Sequence, residues 1–210
     1  MAVGMAEIPL IKTWSWLRYG LRAALCLATP YLILRPLLEH TWDGVTGAIW
    51  VTILGAAVLA LWTILQGKTA HLRGASAPLA WTLLAAGSAI VLALSGSAAL
   101  GQLAGVLVST LGGLLFLALF QEKLPVSGAV GPLVVLLAGL WIAGFFYAEV
   151  PTSSALLLVA APLMLWVAGL LAVRMKQPWL AVVTRTSAAA VPVGLAVILA
   201  ILSQPELGAY

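Results

Sequence analysis

Seven runs of mostly apolar residues, each close to the ~20 residues a helix needs to cross the hydrocarbon core of a bilayer, fill almost the whole chain. They cover residues 17–38, 46–65, 78–94, 98–120, 126–146, 152–173 and 182–202. Backbone amides in hydrocarbon must be satisfied within their own segment, and the alternating pattern of a membrane barrel is absent, so each run is read as a helix. The expected fold is all-α: a polytopic membrane helix bundle of about seven transmembrane helices, with residues 1–210 forming one membrane domain. Composition agrees, because only 8% of the residues are charged, against about 25% in a soluble domain.

Ten Lys and Arg against six Asp and Glu give a formal charge of +4. In a soluble protein that excess would suggest nucleic acid, but here the basic residues sit between apolar runs and orient the chain, and no nucleic-acid partner is expected. Lys12, Arg18 and Arg22 precede or open the first run, Lys68 and Arg73 follow the second, and Arg174, Lys176 and Arg185 separate the last two. The opposite side carries Glu39, His40, Asp43, Glu149 and Glu206, with Arg35 as its single basic residue. The link containing Gln121, Glu122 and Lys123 falls on the basic side with no net charge. By the positive-inside rule the amino terminus is expected in the cytoplasm and the carboxyl terminus outside.

Aromatic residues repeat the division. Trp14, Trp16, Tyr19, Trp62, Trp81 and Trp179 fall near the basic edge, and Trp42, Trp50, Trp141 and Tyr147 near the other, as interfacial belts do. Trp166, deep in the sixth run, is read as a packing residue. The first run ends without a small-residue cleavage site and is read as retained. Cys26 follows a bulky Leu25, so lipidation is not expected; as the single cysteine, it also excludes an internal disulfide.

Ser97, Gly101, Gly105, Ser109 and Gly113 recur every fourth residue of the fourth run. Spacing of four puts small residues on one slowly drifting stripe, over which another helix can approach closely. The fourth helix is therefore expected at the centre, packed on the third or on a partner protein. Leucine at Gly105 should disrupt that packing more than leucine at Gly112. Pro30, Pro162 and Pro192 lie inside runs and favour kinks.

Specific chemistries fail one by one. His40 and His71 are predicted at opposite edges, which opposes haem ligation by a facing pair, and no metal cluster or cofactor is expected. The last run has no lysine for a retinal Schiff base. Ser88, Ser109 and Ser187 have no histidine at matching depth for intramembrane proteolysis. No acidic residue falls near a midplane, where ion-coupled transporters commonly keep one. The polar groups at depth are Thr29, Thr52, Ser88, Gln102, Ser109 and Thr110, mostly hydroxyls able to bond to their own helix. Gln102 is read as a helix-to-helix hydrogen bond, and Arg35, Glu39, His40 and Asp43, with Glu149, as a candidate polar site at the outer face.

The runs from Leu94 to Gly105 (Leu-Ser-Gly-Ser-Ala-Ala-Leu-Gly-Gln-Leu-Ala-Gly) and from Phe145 to Leu158 (Phe-Phe-Tyr-Ala-Glu-Val-Pro-Thr-Ser-Ser-Ala-Leu-Leu-Leu) resemble uncharacterised multi-pass proteins of planctomycete-type bacteria. That resemblance implies a bacterial inner (plasma) membrane and no particular activity. Three functions stay open, and the leading one is a non-catalytic structural or accessory subunit of a membrane complex, with the lipid bilayer and other subunits as partners. The others are a permease for a neutral or lipid-like solute and an enzyme acting at the outer headgroup layer, the sequence leaning against an enzyme.

Overall fold

The computed structural model describes residues 15–69, 76–120, 126–172 and 178–203. Lys12, Trp14, His71, Arg73, Gln121, Glu122, Lys123, Arg174, Lys176 and Glu206, invoked above for orientation, lie outside the described residues.

Seven α-helices carry the described chain: α1 (Ser15–His40), α2 (Gly44–Thr69), α3 (Ser76–Leu94), α4 (Ala98–Phe120), α5 (Val130–Tyr147), α6 (Thr152–Ala172) and α7 (Pro178–Leu202). A short 3-10 turn at Val126–Ala129 leads into α5. All seven are long and apolar enough to cross a membrane, and the chain is an integral membrane protein built as a helix bundle.

Close contacts fix the directions of the helices. Leu38 lies against Gly47, Leu27 against Gly55 and the Arg22 guanidinium over the Trp62 ring, so α1 and α2 run antiparallel. Gly101 meets Ala93 across the tight link of α3 and α4, and Ser154 of α6 meets Ala196 of α7, making those pairs antiparallel too. Leu92 packs on Gly144 while Ser88 bonds Trp141, so α3 and α5 are parallel. Val193 against Gly87, and Ala189 around the same void as Trp81, make α7 parallel to α3. The odd helices thus run one way and the even ones the other. Arg22 and Arg185 stand at one end, called here the basic end; Glu39, Asp43 and Glu149 stand at the opposite, acidic end.

Burial identifies the centre. Within its membrane-length segment α3 is 56% buried and α5 50%, whereas α1 and α4 are 17% buried. The expectation that the fourth helix is central is therefore corrected: α4 packs chiefly on α3 and lies at the periphery. Its buried positions are Gly101, Ala104, Leu111 and Ala118, a sequence of steps of three and seven that keeps one side of α4 against α3.

Glycines set the closest approaches. A Cβ on Gly131 would overlap the Trp62 ring, one on Gly87 would overlap Val193, and one on Gly144 would overlap Leu92. The prolines leave the helices continuous, and Pro30 and Pro36 both lie inside α1. Pro30 has no N–H for the carbonyl of Cys26, four residues earlier. Gly55 brings α2 so near that a Cβ there would stand 3.3 Å from that Cys26 oxygen. A glycine thus sits where a proline has bared a carbonyl, letting the two helix backbones approach closely there.

Three tryptophans placed above near the bilayer edges pack their rings inside the bundle. Trp62, Trp81 and Trp141 are each under 10% exposed. At the acidic end Trp42, Trp50 and Phe146 form one aromatic cluster, with Trp42 and Trp50 stacked at 6.2 Å and Phe146 edge-on to both.

Candidate functional site

The residues singled out as a polar site are distributed over the acidic end. Helix α1 continues through Pro36, so Arg35 and Glu39 share a face, and the Arg35 Nε–H donates to Glu39 Oε1 at 2.7 Å. Both side chains are at least half exposed, and an exposed i,i+4 pair contributes only ~0.5 kcal/mol. His40 ends α1, and Asp43 lies in the link before α2, where its carbonyl accepts the Gly47 N–H at 2.9 Å. Asp43 therefore does not extend the helical face of Arg35 and Glu39. The Tyr147 hydroxyl donates to the Ile33 carbonyl at 2.7 Å, next to the Leu32 carbonyl that Pro36 leaves without its helical donor, and ties the end of α5 to α1.

Glu149 is the one non-glycine residue with positive φ (51°) among the described residues. It ends α5 in the left-handed conformation usually given to glycine, after which Val150 turns inward against Gly144. Glu149→Gly should relieve the strain and stabilise the protein by about 0.5–1 kcal/mol. The check is a melting temperature raised by about 2 °C in one detergent; an unchanged or lower value would show that the Glu149 side chain contributes more than its backbone strain removes.

Small-residue positions on α4 separate into different roles. The Ser97 hydroxyl accepts the Leu100 N–H at 3.4 Å, in the position of a helix cap. Gly96, at φ +87°, makes the turn that leads to it. Gly101 is in tight contact, since a Cβ there would lie 3.0 Å from the Ala93 Cα. Beyond it the stripe leaves α3: nothing stands within 4 Å of a Cβ on Gly105, Gly112 or Gly113. Ser109 is exposed and donates to the Gly105 carbonyl of its own helix at 3.1 Å. The expected contrast between Gly105 and Gly112 therefore has no basis inside the single chain. Gln102 stands one turn into α4, exposed, and makes no side-chain hydrogen bond among the described residues, so it does not bridge two helices.

The structure adds contacts that sequence patterns did not single out. Trp141 Nε1–H donates to Ser88 Oγ at 2.9 Å, and Ser88 in turn donates to its own Leu84 carbonyl at 2.8 Å. Ser154 Oγ–H donates to the Ala196 carbonyl at 3.0 Å. Both serines are fully buried, so these bonds cross the interior from α3 to α5 and from α6 to α7. Trp141 also stands between two spaces. A void of about 20 Å³ lies inside the bundle among Leu61, Trp81, Leu84, Leu137 and Pro162. A larger cleft of about 250 Å³ opens between α2, α5 and α6, with Leu54, Val58, Ile142, Val159 and Leu163 on its walls.

Among the described residues no group of three His, Cys, Asp or Glu is arranged to hold a metal ion. The arrangement is that of an apolar helix bundle with serines as its buried polar links. No protein-family model, curated protein or solved structure matches the chain.

Proposed function

We propose that the chain is a non-catalytic accessory subunit of a bacterial inner-membrane complex, crossing the bilayer seven times with its basic end in the cytoplasm. The observation that carries this reading is the open side of α4. One side of that helix holds to α3 through Gly101, Ala104 and Leu111, while Gly105 and Gly113, with nothing within 4 Å of a Cβ, and the exposed Ser109 present a small-residue surface. Another transmembrane helix can approach closely over such a surface, gaining dispersion contacts that lipid tails do not supply. The resemblance to planctomycete-type proteins supports the inner membrane as the location.

The test separates fold from assembly. Gly105→Leu and Gly113→Leu should leave the isolated protein monodisperse, yet remove co-purifying membrane subunits after gentle extraction from the native host. Wild-type-like recovery of every subunit with both variants would end the accessory-subunit reading. Reporter fusions after Lys68 and after Lys176 should both report cytoplasm, and one at Tyr210 the outside; a cytoplasmic signal at Tyr210 would reject the orientation.

A second reading has its own support in the lateral cleft. Its walls are apolar and it opens between α2, α5 and α6, as a passage or resting place for a neutral, lipid-like solute would. Uptake of such a solute into proteoliposomes containing the purified chain alone would favour a permease over a subunit.

A further inference from the structure

Three buried polar atoms in the basic half of the bundle have no hydrogen-bond partner among the described residues: Ser76 Oγ, Trp81 Nε1 and Arg185 Nε. Leaving a buried polar group unmade costs about 1–3 kcal/mol, more for a charged one. Ser76 and Trp81 are 4% and 8% exposed, so neither side chain is turned out to solvent. Two of them, Ser76 Oγ and Arg185 Nε, come together at the basic end of the α3–α7 pair and point to a ligand, whereas Trp81 faces the interior void.

The helix register brings Ser76 and Arg185 to one level and leaves Trp81 deeper in the bundle, beside the interior void. Trp81 of α3 and Ala189 of α7 border the same void, and Gly87 meets Val193 further along the same parallel pair. Arg185 lies four residues before Ala189, about 6 Å toward the basic end, on the same face of α7. Ser76, the first residue of α3, lies eleven residues before Gly87 and within about 20° of the face that Gly87 turns to Val193 of α7, whereas Trp81 lies about 140° around the helix from Ser76 and about 7.5 Å deeper. Helix α3 thus begins beside the Arg185 level, directing the positive end of its dipole there.

The Arg185 guanidinium and the start of α3 are donors and positively charged, and the Ser76 hydroxyl can both donate and accept. The described carboxylates, Glu39, Asp43 and Glu149, are all at the opposite end of the bundle. Arg22, at the same end, has its guanidinium over the Tyr19 and Trp62 rings at 5.8 and 5.5 Å. Arg185 has neither ring nor acid as a partner among the described residues. It lies about one turn inside the apolar segment of α7, a depth from which arginine reaches the headgroup layer.

We propose that Arg185, Ser76 and the start of α3 bind the phosphate of an anionic phospholipid in the leaflet at the basic end. A phosphodiester supplies oxygens that accept two parallel bonds from the guanidinium, with the helix start and the Ser76 hydroxyl donating to the same group. The lipid's chains remain in the bilayer. The source is a lipid, because Arg185 stands within the apolar segment of α7, near its basic end, where an anionic headgroup can meet it.

The test uses the full chain in a neutral detergent, with phosphatidylglycerol, phosphatidylcholine of the same acyl chains, and inorganic phosphate as separate probes. Native mass spectrometry should show one retained phosphatidylglycerol per chain, and that lipid should raise the melting temperature while phosphatidylcholine does not. Arg185→Gln should weaken the apparent affinity about tenfold, as loss of a charge-assisted bidentate contact does. Ser76→Ala should weaken it less, and Arg22→Gln should leave it unchanged. Equal stabilisation by both lipids, or a wild-type response from Arg185→Gln, overturns the site. Should Arg185→Gln not fold, a wild-type chain that retains no phosphatidylglycerol overturns it equally. Stabilisation by inorganic phosphate matching that by phosphatidylglycerol overturns the lipid assignment.

Discussion

Leucine in place of Gly131 should abolish the monodisperse protein, while leucine at Gly105 should not. Any Cβ on Gly131 meets the Trp62 ring, with Cε2 and Cη2 at 2.8 and 2.9 Å and Cζ2 closer still. The ring cannot easily move aside. Its Nε1–H donates to Gln66 Oε1 at 3.1 Å, the Arg22 guanidinium covers it, and only 9% of the residue is exposed. Overpacking of this kind costs about 1–3 kcal/mol when neighbours can shift, and four added carbons against a pinned indole belong at the top of that range or above. Gly105 has nothing within 4 Å to collide with. Size-exclusion profiles and aggregation temperatures in one detergent provide the comparison; similar profiles for the two variants would refute the α2–α5 packing described here.

The second large effect is expected at Trp141. Trp141→Ala removes the bond to Ser88 and also takes away the wall between the interior void and the lateral cleft. Large-to-small changes of buried aromatics cost about 3–5 kcal/mol where the site does not collapse. Trp141→Phe keeps most of the volume and loses the indole N–H, which isolates the hydrogen bond at ~1 kcal/mol. The order of melting temperatures should be wild type, then Phe, then Ala, with the second gap the wider. A Phe variant as damaged as the Ala variant would mean that the hydrogen bond, and not the volume, holds α3 to α5.

How much of this was legible in the sequence differs between helices and faces. The number of helices was legible because a bilayer sets their length, and each apolar run is close to it. Which face each helix buries was not, because α2 to α6 are apolar around their whole circumference and lack the polar stripe that marks the outside of a soluble helix. The α4 stripe shows the difficulty. A step of four residues advances about 40° around a helix, so Gly113 lies about 120° from Gly101 and has left the side that touches α3. Ser88 was read as a hydroxyl bonding its own helix, which it does, but its bond from Trp141 links residues 53 apart and leaves no local signal. In the candidate polar site, the spacing of Arg35 and Glu39 revealed their pairing, whereas the left-handed backbone at Glu149 depends on how Val150 turns inward. Arg185 was read only as an orientation marker, since lack of a partner is a property of three dimensions.

The central position of α3 also bears on how the chain is made. Its neighbours become available in a fixed order as synthesis proceeds: α4 follows after a three-residue link, α5 brings Trp141 to Ser88 later, and α7, with Val193, comes last. Helix α3 must therefore wait in the membrane with its Gly87 face uncovered until about a hundred further residues have been added. Chains halted before α7 should keep that face open, making the truncated bundle a target for membrane chaperones and quality-control proteases while the complete chain escapes them.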